Sequence, residues 1–266
     1  MKGVIVAGGY GTRFLPITKS VPKEMLPLKD KPIIEYIIEE LSSAGVKDIL
    51  VVISEHKQII KDYFSECKHL KDFLIEVGKE SYLSKIEYQQ KLANISFVNQ
   101  ERMGGFQDAV RYARDFVGDD DFILCTGDNL FDNPGGKTCV EQMLDNYKVN
   151  KQPLLVTIDV PEEDLPKYGV VKYEKAGSNK IKEIVEKPKS DFPSNDIAAG
   201  RYLLPAKIFK YIDENKKFIG HELNFSECLN LLAKNDGYYT LRLQGIMLDT
   251  GNVKGYIEAF NYYINK

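Results

Sequence analysis

The residues whose types and spacing could carry out chemistry begin near the start of the chain. The string Ala7-Gly8-Gly9-Tyr10-Gly11-Thr12-Arg13 is followed by Pro22-Lys23-Glu24-Met25-Leu26-Pro27. Glycines let backbone amides come close to an anionic group, because no Cβ intervenes. Arg13 adds a planar fork suited to phosphate oxygens, and Lys23 a mobile point charge. Two familiar phosphate-binding patterns fail on spacing. A dinucleotide fingerprint G-x-G-x-x-G would run through Gly9 and Gly11 to position 14, which is Phe14. A Walker loop needs Gly-Lys-Ser/Thr, which this stretch lacks.

Carboxylates come next. Asp128 follows an apolar run, in Gly127-Asp128-Asn129, and Asp249 stands in Leu248-Asp249-Thr250-Gly251. Either alone reads as a turn or cap residue. Two carboxylates with phosphate oxygens and waters make a Mg²⁺ site, because Mg²⁺ prefers hard oxygens and keeps several waters. Glu186 and Lys187 end another strand pattern, where Pro188 would by itself mark only a strand end. His221-Glu222 begins like a zinc-protease motif, but Phe225 stands where its second His should be, so no zinc site is expected. The cysteines, Cys67, Cys125, Cys139 and Cys228, have no C-x-x-C spacing and read as reduced structural thiols.

These groups need a scaffold, and the pattern supplies one. Short apolar runs at Val4–Ala7, Ile49–Ile53, Ile95–Val98 and Phe122–Thr126 alternate with helical patterns at Ile33–Ala44 and Phe106–Phe116. Gly45 stands where a helix C-cap prefers it. Charged stretches from His56 to Leu92 predict two or three surface helices. In the second half, strands at Leu154–Val160, Gly169–Tyr173, Lys180–Val185 and Ile197–Leu204 have little helix between them, and Lys175–Asn179 reads as a hairpin turn. Helices are expected at Ile208–Ile212, Leu223–Ala233 and Val253–Ile264, with a strand at Tyr239–Leu243. The expected fold is α/β: a Rossmann-like, mixed but mostly parallel central sheet flanked by helices, with a smaller β-rich lobe. No linker divides it, so one domain is expected, with a nucleotide half over about residues 1–150 and a second-substrate half over about 151–266.

The chain has 266 residues, 43% hydrophobic and 28% charged, enough to bury a core without disulfide or metal staples. Thirty-six basic residues against thirty-nine acidic leave a charge of −3, which argues against a nucleic-acid partner. No apolar run reaches bilayer length, and Met1–Ala7 reads as a buried strand rather than a signal peptide. A cytoplasmic protein without a membrane partner is expected.

The string from Ala7 to Arg13, with Pro22-Lys23 in the same loop, resembles the nucleotidyltransferase family of sugar-nucleotide pyrophosphorylases. Thr18-Lys19-Ser20-Val21-Pro22-Lys23-Glu24-Met25-Leu26-Pro27 is similar to its bacterial UTP–glucose-1-phosphate uridylyltransferase branch. So are Tyr168-Gly169-Val170-Val171, Val185-Glu186-Lys187-Pro188-Lys189 and Gly200-Arg201-Tyr202. The resemblance implies UTP and glucose 1-phosphate as small-molecule substrates, Mg²⁺ as cofactor and a homo-oligomer. It assigns Arg13, Lys23 and Lys187 to catalysis. Ala7, Gly8, Gly9, Gly11, Thr12, Glu24, Gln100, Gly105 and Asp128 would bind nucleotide, with Gln100 on the pyrimidine base, where its amide offers a donor and an acceptor. Gly169, Glu186 and Lys187 would bind the sugar phosphate, and Asp128 with Asp249 the metal.

Two positions depart from that branch: Gln107-Asp108 stands where Gly-His is usual, and Asp249-Thr250-Gly251 where Asp-Cys-Gly is usual. Asp249-Thr250-Gly251, with Gly127-Asp128-Asn129-Leu130-Phe131, is closer to thymidylyltransferases, and these departures leave UTP and dTTP as alternatives. A catalytically silent subunit of the same fold is a third reading. A nicotinamide dehydrogenase is a fourth, disfavoured by the missing third glycine.

Overall fold

The computed structural model describes residues 1–215, 218–219 and 222–266. His221 of the broken zinc-like motif lies outside the described residues. Four parallel strands form the centre of the main sheet: β1 (Lys2–Val6), β2 (Asp48–Ile53), β3 (Asn94–Asn99) and β4 (Phe122–Thr126), in the spatial order β3-β2-β1-β4. β1, β2 and β4 are nearly continuous apolar runs because both faces are covered, whereas β3, at the end of the sheet, alternates half-buried and exposed residues. Ile5, Ile49, Val51, Ile123 and Cys125 enter one core, whereas Val4, Leu50, Val52, Phe122 and Leu124 enter the other. The first core is closed by α1 (Ile33–Ser43). Its Ile34, Ile37, Ile38 and Leu41 are fully buried, and it ends where the Gly45 N–H reaches Ser42 and that of Val46 reaches Leu41.

Between β2 and β3 lie α2 (Gln58–Phe64), α3 (Lys68–Glu76) and α4 (Leu83–Glu87), as the charged sequence implies. The stretch from Phe106 to Phe116 is not one helix. It divides into α5 (Phe106–Arg111) and α6 (Arg114–Val117), because Tyr112 and Ala113 donate three residues back and tighten the turn. The Tyr112 hydroxyl accepts there from the Glu101 and Arg102 N–H groups.

Beyond β4 come β5 (Asn129–Asp132) and α7 (Cys139–Asn150), which starts at a Thr138/Glu141 capping box and packs Cys139, Val140, Met143, Leu144 and Tyr147 on the first core. The second half is largely antiparallel: β6 (Leu154–Asp159), β7 (Gly169–Tyr173), β8 (Ile181–Glu186) and β9 (Asp196–Leu204). The last strand runs antiparallel along β4 and makes one continuous sheet of the two halves. Helices α8 (Ile208–Glu214) and α9 (Phe225–Asp236) cover the second core. Then β10 (Tyr239–Arg242) adds to β6, β11 (Ile246–Asp249) pairs with β5, and α10 (Val253–Asn265) packs on the first core. No helix among the described residues is long and apolar enough to cross a membrane.

The parallel strands β1, β2, β3 and β4 all end on the same edge of the sheet. The segments leaving that edge begin at Ala7, Ser54, Gln100 and Gly127, so four loops of the first half converge there, as in open α/β sheets generally.

Candidate functional site

The glycine loop leaves β1 and turns back at Gly11, whose φ is 66° and whose carbonyl accepts from the Thr18 hydroxyl at 2.9 Å. Gly8 lies against the next loop: a Cβ there would stand 2.5 Å from Gln100 Oε1. Gly9 carries open space, and Thr12 and Arg13 form a single helical turn. The loop, from Tyr10 to Pro22, together with His56 and Lys57, bounds a cavity of about 480 Å³.

Behind the loop is a row of paired charges. Lys57 is buried and donates to Glu24 Oε2 and to the Ala7 carbonyl, both at 2.7 Å. Glu24 is thus turned inward onto Lys57. Burial pulls the Lys57 ammonium below its ordinary pKa, and Glu24 only partly offsets it. Lys23 forms an ion pair with Asp128. Burial acts against the Lys23 charge, but Asp128 and Glu24 outweigh it and hold the ammonium above its usual pKa. Burial likewise opposes the Asp128 charge, and Lys23, Arg13 and Lys57 together keep that carboxyl below the usual carboxylate range.

The pairing of β5 with β11 sets Asp249 opposite Asn129, which brings the second carboxylate beside the first. A Cβ on Gly251 would stand 2.8 Å from Asp128 Oδ2 and 2.9 Å from Asp249 Oδ1. The two carboxylate oxygens therefore converge on one point beside Gly251, which no side chain at position 251 could occupy without colliding with them. Asp249 accepts from the Gly251 N–H at 2.8 Å, from the Tyr168 hydroxyl at 3.1 Å and from Asn252 Nδ2 at 3.2 Å. Arg13 reaches the same turn, donating to the Gly251 carbonyl at 3.4 Å. Among the described residues no group of three or more His, Cys, Asp or Glu side chains forms a metal cage. A pair of carboxylates that converge in this way suits a cation that takes its other ligands from substrate and water.

Gln100, at the end of β3, is buried, and its amide nitrogen donates to Asp108 Oδ2 at 3.1 Å and to the Gly105 carbonyl at 3.3 Å. A carboxylate only accepts, so Asp108 fixes which end of the amide turns towards Gly8. That end is Oε1. Gly105 starts α5 with φ 88°.

The opposite side of the site is a cavity of about 300 Å³ between β7, β8 and the start of α9. Gly169 forms its floor: a Cβ there would lie 3.2 Å from Glu186 Oε2. Glu186 Oε2 accepts from the Ser226 hydroxyl at 2.7 Å, and Lys187 Nζ stands 3.7 Å from Glu186 Oε1. Lys187 takes a left-handed backbone, φ 46°. Phe106, Tyr202 and Phe225 pack edge-on or tilted and form an aromatic wall of this cavity.

Several residues with a part in this arrangement are not marked by the sequence patterns. Lys57 sits in a charged stretch, Tyr168 is distinguished only by its Tyr-Gly-Val-Val context, and Ser226 and Asp108 have no local signal. Gln107 is fully buried, donates to the Ile212 carbonyl at 3.2 Å and accepts from Asn215 at 2.8 Å, tying α5 to α8. Asp132 accepts from Tyr262 of α10 and from Lys266, which follows that helix.

The chain matches the nucleotidyl transferase family model over residues 2–266 and belongs to that family. It is 36% identical to a UTP--glucose-1-phosphate uridylyltransferase of Staphylococcus haemolyticus, over 100% of this chain and 92% of that one. A crystal structure of a UDP-glucose pyrophosphorylase complexed with UDP-glucose superposes with a TM-score of 0.89 at 34% identity, covering 99% and 98% of the two chains. A putative glucose-1-phosphate thymidylyltransferase from Bacillus anthracis is less similar, with a TM-score of 0.77 at 26% identity over 100% and 96%.

Proposed function

We propose that this enzyme transfers a uridylyl group from UTP to glucose 1-phosphate, giving UDP-glucose and pyrophosphate. The observation that carries the reading is the convergence of Lys23, Asp128 and Asp249 beside Gly251, one loop away from Arg13. Family membership supplies the reaction class, and the likeness to uridylyltransferases and UDP-glucose pyrophosphorylases supports the substrates.

The nucleotide lies along the glycine loop from Ala7 to Thr12, with its base near Gln100 and Gly105. Both donor positions of the Gln100 amide are used inside the protein, so Oε1 remains to accept from N3–H of uracil. Glu24 acts from behind, through its ion pair with Lys57, which holds the loop at the Ala7 carbonyl. Asp128 and Asp249 hold a divalent cation, Mg²⁺, which neutralises phosphate charge when bound. The sugar sits over Gly169 with Glu186 on its hydroxyls, and Lys187 holds its phosphate.

A sugar phosphate is already ionised at neutral pH, so its oxygen attacks the α-phosphorus without a protein base or nucleophile, and pyrophosphate leaves in line. Lys23 neutralises charge around the α-phosphate and Arg13 bears on the leaving pyrophosphate. The whole chain works as one domain, self-associates, and acts in the cytoplasm.

The rival nucleotide, dTTP, rests on positions 107 and 250. The side chain of Gln107 bonds to α8 and that of Thr250 to the Asp128 backbone, so neither is turned to a base. The test is pyrophosphate release with Mg²⁺ and glucose 1-phosphate, comparing UTP, dTTP, CTP and ATP, with galactose 1-phosphate as control sugar. Strong preference for UTP is expected. Preference for dTTP would replace the nucleotide, and no release with any pair would sink the enzymatic reading in favour of a silent subunit.

A further inference from the structure

The turns that present Asp128 and Asp249 are fastened to each other through the backbone. The Thr250 hydroxyl has no exposed surface and donates to the Asp128 carbonyl at 2.6 Å. The Thr250 N–H donates to the same oxygen at 2.8 Å. Arg201, also without exposed surface, donates to the carbonyls of Thr126 at 3.4 Å and Asn129 at 2.9 Å, the residues that bracket Gly127-Asp128. Glu40 of α1 holds the guanidinium at 2.9 and 3.3 Å and accepts from the first turn of α7 through its other oxygen, at 3.2 Å from the Val140 nitrogen. The carbonyls at 126, 128 and 129 therefore all have buried donors. A buried carbonyl stripped of its donor is costly, so the turn has little freedom to shift.

We infer that Thr250 and Arg201 are positioning residues that set the spacing of the Asp128 and Asp249 carboxylates, and so the affinity of the pair for a divalent cation. Neither touches the cation or the substrate. The inference rests on the metal reading of that pair given above. Thr250 is the sharper probe, because valine matches its shape and removes only the hydroxyl.

The test is direct Mn²⁺ binding to the full chain in the presence of UDP-glucose, read from the electron paramagnetic resonance signal of free Mn²⁺, alongside metal titrations of pyrophosphate release. Thr250→Val is expected to weaken Mn²⁺ binding on the order of 3- to 10-fold, the loss a single buried hydrogen bond brings. The metal concentration for half-maximal rate should rise by the same factor, with a smaller change in rate at saturating metal. Thr250→Ser, which restores the hydroxyl, should return both values towards those of the parent. Arg201→Lys, which keeps charge but loses the fork, should weaken binding in the same direction. Binding by Thr250→Val within about 1.5-fold of the parent overturns the inference, as does equal weakening by valine and serine, which would make the hydroxyl irrelevant. Should the valine variant not fold, Thr250→Ala removes the same hydroxyl, and parent-like Mn²⁺ binding by it overturns the inference equally. A parent that binds no Mn²⁺ with nucleotide overturns the metal reading itself, and this inference with it. Failure of the nucleotide assay alone, with Mn²⁺ binding intact, leaves the positioning result standing.

Discussion

The two sides of the site treat charge in opposite ways. On the nucleotide side, charges are paired with one another inside the protein: the Lys57 and Glu24 side chains are 5% and 1% exposed, and Lys23 sits on Asp128. On the sugar side, Lys187 is 55% exposed and stands 3.7 Å from Glu186, beyond hydrogen-bond reach. The first region holds its charges in place before any ligand arrives, which is the condition for strong electrostatic stabilisation of a transition state. The second leaves a cation whose position a ligand must complete, which suits the role proposed for Lys187 in holding the sugar phosphate. Desolvation explains the difference. A buried ammonium needs a carboxylate beside it, whereas an exposed one is already solvated.

Breaking the buried pairing should have the largest effect. Lys57→Met leaves Glu24 buried without its partner and should destabilise the protein by about 3–5 kcal/mol in urea unfolding, while the double variant with Glu24→Gln recovers much of that loss. A loss under about 1 kcal/mol in the single variant would show that the pair is solvated and the contrast overstated. Lys23→Ala or Asp128→Ala should lower turnover on the order of a hundred- to a thousand-fold in a pyrophosphate-release assay, with the fold intact by circular dichroism. Turnover within a few-fold of the parent would mean the roles are misassigned.

On the sugar side, Lys187→Ala should act more gently. The KM for glucose 1-phosphate should rise roughly 10- to 100-fold, as expected for one charge-assisted hydrogen bond, with the KM for UTP within about two-fold. Equal increases for both substrates would break the division between the two sides.

The smallest effect is expected away from both, where Glu35 of α1 accepts from the Tyr63 hydroxyl. Burial raises the Glu35 pKa above its ordinary value, and Tyr63 offsets this only in part. The folded state thus holds its proton more tightly than the unfolded state, so this group's contribution is full below the ordinary carboxylate pKa and is lost as pH rises through the folded value. Glu35→Gln, which stays neutral, should match the parent near pH 4 and gain stability relative to it towards pH 7. A parent and variant that track each other across that range would show that Glu35 is no burden in the folded state.

Much of this arrangement is legible along the chain, for a physical reason. Parallel strands covered on both faces leave long apolar runs, so β1, β2 and β4 stand out, as does the glycine loop that must follow one of them. The candidate residues of the loop, the carboxylates and the Glu186-Lys187 pair lie at strand ends, where a polar residue after an apolar run is conspicuous. Less visible are elements whose order depends on partners far away. The β5–β11 ladder consists of two four-residue strands, each too short to declare itself. The helix α7, by contrast, is marked locally, by its Thr138/Glu141 capping box and by Cys139, Val140, Met143, Leu144 and Tyr147 on its core face. Residues 106–116 carry a continuous helical pattern that is broken where Tyr112 is recruited by the Glu101 and Arg102 amides.

What the amino-acid order determines by itself, then, is the alternation of strand and helix, the placing of glycines where backbone must approach an anion, and the supply of cations and carboxylates at strand ends. These are local matters of periodicity, steric freedom and residue chemistry. Only the tertiary structure decides that Glu24 turns to Lys57, that Gln100 is held by Asp108 with its acceptor towards Gly8, and that Asp128 and Asp249 converge beside Gly251. Each of those outcomes depends on burial, which makes every unpaired polar group costly and so selects partners from distant parts of the chain.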